Sequence, residues 1–345
     1  MRLATPRWWY VRRGAPMPLT RALLRPITWI WAWATARRIA GGRPFDPGLP
    51  VICVGNLTMG GSGKTPVVRA IIQRLAAQGV AAAVLTRGYG GKLKGPVRVD
   101  PARHGAEDVG DEALMLARDA TVWVARERPG GADEARRGGA QALVLDDGHQ
   151  NPSLAKTLSL VVVDGETRGG EWPFGDGTVF PAGPMREPLA AGLARADAVV
   201  LLLPADVAAP DPDLVALFGA TPVLVARLVP AAPPPPGPQL GFAGIGKPWK
   251  MERALKAAGC DLVDFAPLPD HARYDEATLR FLARRAETLG AGLLTSEKDW
   301  VKLPPAWRER VKAWPVEARF EDEDRLDAFL LPLREKVSPE ATDEG

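Results

Sequence analysis

A short apolar run, Val51–Val54, leads without interruption into Gly55-Asn56-Leu57-Thr58-Met59-Gly60-Gly61-Ser62-Gly63-Lys64-Thr65-Pro66. The last three positions of the phosphate-binding pattern G-x-x-x-x-G-K-[ST] are present as Gly63-Lys64-Thr65, with Thr58 where that pattern has its first glycine. Glycines let successive backbone N–H groups curl around phosphate oxygens, a lysine neutralises the β and γ oxygens, and a threonine hydroxyl ligates Mg²⁺. On this reading Gly60, Gly61, Ser62, Gly63, Lys64, Thr65 and Pro66 hold a nucleotide, and Thr65 touches its metal. Pro66 falls in the first turn of the following helix, where its missing N–H costs nothing. The plain alternative is a glycine-rich turn.

The rest of the chain fits such a loop. Further Val- and Leu-rich runs follow at Ala81–Leu85, Thr121–Ala125, Ala142–Leu145, Leu158–Val163, Ala198–Leu203 and Val223–Val229. Helix-like segments such as Val67–Gln78 and Asp111–Arg118 separate them. Apolar strands spaced by helices predict a mostly parallel sheet with helices on both faces. The proline run between Pro230 and Pro238 breaks this pattern and reads as a stiff linker. A second α/β unit then starts, with a strand at Leu240–Ala243, a helix over Trp249–Ala258 and strands near Leu262 and Leu293. The expected organisation is an arm over 1–45, a nucleotide-binding core over 46–229, a linker over 230–238, and a smaller domain over 239–345 that closes over the site.

Charge sets the arm apart. Residues 1–45 carry nine arginines and no Asp, Glu or Lys, leaving 35 basic against 41 acidic residues in the remainder. Five of the 11 tryptophans lie there too: Trp8, Trp9, Trp29, Trp31 and Trp33. The apolar stretch Pro26–Ala34 is too short to span a bilayer and is flanked by Arg21, Arg25, Arg37 and Arg38. Tryptophan favours the headgroup level and arginine pairs with lipid phosphates, so an interfacial helix on an anionic membrane surface is expected. Packing of that helix on the protein body is the other reading, and the two are compatible. No nucleic-acid-binding module is recognisable, and no nucleic-acid partner is expected. The oligomeric state is not legible.

Composition removes several function classes. Two cysteines, Cys53 and Cys260, without C-x-x-C spacing argue against a disulfide scaffold or cysteine zinc site. The three histidines, His104, His149 and His271, have no metal-ligand spacing. An N-K-x-D motif for guanine is absent, and Met59 stands where membrane-recruited, partner-switching P-loop ATPases carry an extra lysine. Such an ATPase is the runner-up reading.

Two acidic clusters complete the candidates. The run Ala142–Leu145 ends in Asp146-Asp147-Gly148; at a strand's C-terminal edge beside a phosphate loop, such acids hold Mg²⁺, with turn capping as the alternative. Asp111, in Gly110-Asp111-Glu112, is either a helix cap or a base that takes a proton from an acceptor hydroxyl.

Taken in order, these motifs together with Thr86-Arg87-Gly88-Tyr89-Gly90-Gly91, Asp146-Asp147-Gly148-His149-Gln150, Phe180-Pro181-Ala182-Gly183-Pro184-Met185-Arg186-Glu187, Phe242-Ala243-Gly244-Ile245-Gly246, Asp270-His271 and Ser296-Glu297-Lys298-Asp299 resemble the tetraacyldisaccharide 4′-kinases, the lipid A 4′-kinases of Gram-negative bacteria. The resemblance spans about residues 50–300 and covers the Thr58 departure, which the family shares. It implies transfer of the γ-phosphate of ATP, with Mg²⁺, to the 4′-hydroxyl of an acylated glucosamine disaccharide 1-phosphate, giving lipid IVA, at the cytoplasmic face of the bacterial inner membrane. It implies Asp111 as catalytic base with His271 orienting it, Lys64 and Arg186 offsetting phosphoryl charge, Gln150 in the nucleotide site, and Asp146, Asp147 and Glu187 around the metal. His149 and Asn151 depart from the family's Phe and His in the D-D-G-F-Q-H motif.

Overall fold

The computed structural model describes residues 6–10, 19–270 and 272–337. Among these residues thirteen strands are interspersed with helices: β1 (Val51–Gly55), β2 (Ala82–Thr86), β3 (Val97–Arg98), β4 (Thr121–Val124), β5 (Ala142–Asp146), β6 (Leu158–Asp164), β7 (Ala198–Pro204), β8 (Val223–Pro230), β9 (Gln239–Ala243), β10 (Leu262–Pro267), β11 (Gly292–Ser296), β12 (Val311–Trp314) and β13 (Val316–Phe320). Nine form one sheet in the order β13-β8-β7-β6-β1-β5-β2-β4-β3. Its pairs are parallel except at the two edges, where β13 meets β8 and β3 meets β4 antiparallel. All five residues of β1 and of β5 are buried, as strands covered by helices on both faces require. The expected mostly parallel α/β core is therefore present.

β1 lies between β6 and β5, and the chain leaves it to build strands on both sides. Such a reversal of strand order opens a crevice at the carboxyl ends of the strands, and the glycine loop after β1 sits there. Its helix, Lys64–Ala77, buries Val67, Val68, Ile71, Ile72 and Leu75 against the sheet. The apolar spacing is that of one helix face.

Past the proline segment, β9, β10, β11 and β12 form a second, wholly parallel sheet in the order β10-β9-β11-β12. The chain does not end in that unit. β13 returns to the first sheet, with Val316 opposite Pro230, and the terminal helix Glu323–Val337 follows it. Arg74 on the loop helix bonds Asp327 and Glu323, fastening that helix to the core.

The arm is a helix over Leu19–Ala40 preceded by a 3₁₀ turn at Arg7–Tyr10. One face is docked: Arg21 is buried on Asp176 and Thr178, and the Trp31 ring packs 4.7 Å from Phe180. The other face is apolar and open, with Leu23 74%, Trp29 74%, Ile30 65% and Trp33 62% exposed. No helix among the described residues is long and apolar enough to cross a membrane.

Candidate active site

The loop helix begins at Lys64, with Gly63 as its cap at φ 79°. Only glycine fits there: the conformation is left-handed, and a Cβ would collide with Leu202. The backbone N–H groups of the first helical turn consequently face the crevice, where an anion is favoured. The loop is braced from the other side. Met59 N–H donates to Pro184 O (2.7 Å), Arg186 N–H to Leu57 O (2.8 Å), and Arg186 Nε to Thr58 O (3.0 Å). The proline- and glycine-rich segment that ends in Arg186-Glu187 is thus a rail beside the phosphate loop.

The acids at the end of β5 point into the same crevice. Asp147 adopts φ 54° and pairs with Arg186 Nη1 at 2.8 Å and Lys64 Nζ at 3.6 Å. Desolvation alone would raise the Asp147 carboxyl, but Lys64 and Arg186 outweigh it and hold it at about 2. Asp146 behaves differently. It is 1% exposed, and burial, followed by the charges of Glu112 and Asp147, pushes its carboxyl up to about 7. Oδ2 accepts a long bond from the Thr86 hydroxyl (3.4 Å), and Oδ1 is buried with no hydrogen-bond partner. A buried carboxylate oxygen left unpaired calls for a cation. The set formed by Asp146 and the Thr65 hydroxyl, two hard oxygen donors beside a phosphate loop, fits Mg²⁺.

Glu187 is engaged by protein groups. Both its oxygens accept from Arg195 Nη2 (2.7 and 2.6 Å), and Gln150 Nε2 donates to it at 3.0 Å. No group of three acids, His or Cys suited to a metal forms among the described residues. Arg195, eight residues on, neutralises Glu187, which forms a strut with Gln150 beside the loop. Gln150 links that strut to the loop, donating to Asn56 O at 2.8 Å and accepting from Arg186 Nη1 at 3.4 Å. Its side chain is engaged by protein groups.

Asp111 is 6% exposed and is the first residue of the helix Asp111–Leu116; Gly110 at φ 92° is the cap. Its Oδ1 accepts the Glu112 N–H at 3.0 Å. Glu112 in turn pairs with Lys298 Nζ at 2.8 Å, reaching across from the second unit. His271 lies outside the described residues. His149 does not reach the nucleotide crevice: it is buried, with Nδ1 on Ser159 Oγ (3.0 Å) and Nε2 on Gly192 O (2.9 Å), and burial depresses it to about 4. It is a neutral packing residue. Asn151 likewise closes a local turn, accepting Ser153 N–H at 2.8 Å.

A cavity of about 600 Å³ lies between the two units, lined by Gly61–Pro66 from one and by Gly246, Lys250 and Lys298 from the other. A Cβ on Gly246 would stand 3.4 Å from the Gly61 nitrogen, so the two glycine turns nearly touch. Ion pairs fasten the units on either side: Lys247 and Lys250 hold Asp164 at 2.9 and 2.6 Å, and Arg69 on the loop helix holds Glu297 at 2.9 Å. Glu112 and Lys298 each lie in a motif, but no local pattern marks either of them, or Arg195, as part of the site.

A family model described as tetraacyldisaccharide-1-P 4′-kinase matches residues 20–334. The tetraacyldisaccharide 4′-kinase of Phenylobacterium zucineum is 70% identical over 330 residues, covering 96% of this chain and 99% of that one. The enzyme of the same name from Caulobacter vibrioides is 68% identical, covering 96% and 98%. That of Maricaulis maris is 50% identical over 90% and 91%. Among solved structures, LpxK from Aquifex aeolicus, crystallised in complex with ATP, superposes with a TM-score of 0.71 at 24% identity, over 91% of this chain and 99% of that one.

Proposed function

This chain belongs to the tetraacyldisaccharide-1-P 4′-kinase family, and on that membership we propose how its site performs the transfer and where it does so. The activity is that of a lipid A kinase: a phosphoryl group passes to the 4′-hydroxyl of an acylated glucosamine disaccharide 1-phosphate. The phosphoryl donor in our reading is ATP, lying in the cavity between the units with its phosphates on the Gly60–Thr65 loop. The observation that carries this is the meeting of Lys64, the strand-end acids and the Asp111–Glu112 turn at one crevice, with Lys64 already paired to Asp147.

The steps assigned to this chain are few. The loop amides and Lys64 take the β and γ oxygens, Lys64 exchanging Asp147 for phosphate. Arg186, held by Thr58 O and Asp147, places a second positive charge beside the transferring group. Asp146 and Thr65 would hold Mg²⁺, with Asp147 beside them; the ion would supply charge neutralisation on the phosphates. Asp111 accepts the proton of the 4′-hydroxyl as that oxygen bonds to the γ-phosphorus and the bridging bond to ADP breaks. Phosphoryl transfer asks mostly for placement of such a base. His271 next to Asp270 is the residue we assign to orienting it.

We place the enzyme on an anionic membrane surface, the cytoplasmic face of the inner membrane, through the open face of the arm helix. Replacing Trp29, Ile30 and Trp33 with Ser while keeping Trp31, whose ring packs on Phe180, should weaken sedimentation with anionic vesicles by about 10-fold or more. Unchanged sedimentation of the folded variant removes the membrane role from that face.

The deciding assay uses labelled ATP, Mg²⁺ and tetraacyldisaccharide 1-phosphate in mixed micelles. Label at the 4′ position supports the reading. Free phosphate alone, from protein that binds ATP, overturns it in favour of a partner-switching ATPase.

A further inference from the structure

Every side chain of the segment Ser296-Glu297-Lys298-Asp299 is engaged, yet the transfer itself uses none of them. Asp299 is fully buried; its Oδ2 accepts Gly244 N–H at 3.0 Å and the Ser296 hydroxyl at 2.7 Å, which ties the segment to the glycine turn facing the phosphate loop. Glu297 pairs with Arg69 on the loop helix. Lys298 reaches the turn that carries Asp111, with Nζ 2.8 Å from Glu112 Oε1.

Glu112 is poorly placed without that partner. It follows Asp111, so two carboxylates share the first turn of one short helix. It lies near enough to Lys64 to be stabilised by that charge, and near enough to Asp146 to raise the latter's carboxyl. Unpaired, Glu112 would turn toward Lys64 and compete with nucleotide phosphate for it. Lys298 prevents this: its charge, first among the influences on Glu112, holds that carboxyl below the usual range. Burial works against the Lys298 ammonium, but Glu112, Asp111 and Asp270 together outweigh it and keep it charged. Its neighbours are thus the acid beside the base, the base itself, and the acid next to His271.

We propose that Lys298 is a positioning residue for phosphoryl transfer: the second unit delivers its ammonium to Glu112, which keeps Glu112 away from Lys64 and fixes the Gly110–Glu112 turn that carries Asp111. The active site of the first unit is then complete only with the second unit seated on it. This rests on Asp111 acting as base, and the experiment separates the two claims.

The test compares Lys298→Met, Lys298→Arg, Glu297→Gln and Asp111→Asn in the full chain. Steady-state transfer is measured at saturating acceptor, ATP affinity by equilibrium binding, and folding by thermal melting. Glu297→Gln removes the neighbouring bridge between the units without touching the acids, and its kcat should stay within about 2-fold. Lys298→Met should lower kcat by about 10-fold or more, the scale of a displaced reacting group. Lys298→Arg should recover most of that loss. Adding Glu112→Gln to Lys298→Met should cost no further activity, since the two act as one pair. Should Lys298→Met fail to fold, Lys298→Gln carries the same comparison. A kcat for the lysine variants no lower than that of Glu297→Gln overturns the proposal and leaves a simple bridge. Wild-type turnover in Asp111→Asn overturns the base assignment instead, whatever Lys298 does.

Discussion

Lys64→Ala is expected to lower kcat/KM by on the order of 10³-fold, the largest loss of any single change in this site. The residue carries two tasks that fail together. Its ammonium is the charge that meets the β and γ oxygens, as the loop geometry requires. It is also a cation that three acids share: it stands 3.6 Å from Asp147, and its charge stabilises the ionised forms of Asp146 and Glu112. Without it, Asp147 keeps Arg186 and Glu112 keeps Lys298, but incoming triphosphate meets Asp146, Asp147 and Glu112 with the counter-charge they share gone. ATP affinity should therefore fall along with turnover, unlike the outcome for a residue used only in the transition state. Fold should persist, because the side chain packs no core and the helix Lys64–Ala77 is anchored by Val67, Val68 and Ile71. Initial rates at several ATP concentrations, with circular dichroism as the folding control, decide it. Activity within about 10-fold of wild type removes Lys64 from phosphate binding.

The parts of this protein that were legible in the sequence are those whose causes are local. Val51–Val54 and Ala142–Leu145 read as buried strands because Val and Leu covered on both sides show no polar alternation. The phosphate loop is readable because its mechanism needs glycines, a lysine and a threonine at consecutive positions. Long-range pairing is different. β13 follows the second unit in the chain and belongs to the first sheet, opposite β8; nothing in Val316–Phe320 names its partner. The Pro-rich segment marked a boundary that the chain crosses twice. Glu187 shows the same limit at the level of one side chain: a motif supplies a carboxylate but not the Arg195 that claims it. His149 was conspicuous as a departure from the family pattern, and its environment explains it. Ser159 and Gly192 satisfy both ring nitrogens, so an imidazole fills the position behind the loop as a neutral group. Glu112 and Lys298 stand 186 positions apart, and only the packing of two units makes them a pair.

Asp111→Asn is expected to lower turnover by about 10²-fold or more while ATP binds as before. The choice of asparagine is what gives the experiment its meaning. Read from the residues alone, Asp111 is a cap before it is a base. In the structure Gly110 occupies the cap position, and Asp111, the next residue, accepts the Glu112 N–H through Oδ1 at 3.0 Å. An asparagine carbonyl makes the same bond with nearly the same propensity at helix starts, so local structure survives the change. Basicity does not: an amide accepts no proton from a hydroxyl. Asp111→Ala would lose both the bond and the base and cannot tell them apart. The side chain is 6% exposed, in contact with the Gly110 turn and within the influence of Lys298, so a loss confined to turnover fits a group that acts on the acceptor. The measurement is single-turnover transfer from bound ATP to the acylated disaccharide, with ATP affinity recorded on the same preparation. A rate equal to wild type returns Asp111 to holding its own helix, and the proton of the 4′-hydroxyl then leaves by another group. A loss matched by weaker ATP binding points to damage at the Glu112–Lys64 side of the site rather than to the base. Only the first pattern, slow transfer from normally bound nucleotide, is the signature of a general base whose partner is the lipid hydroxyl.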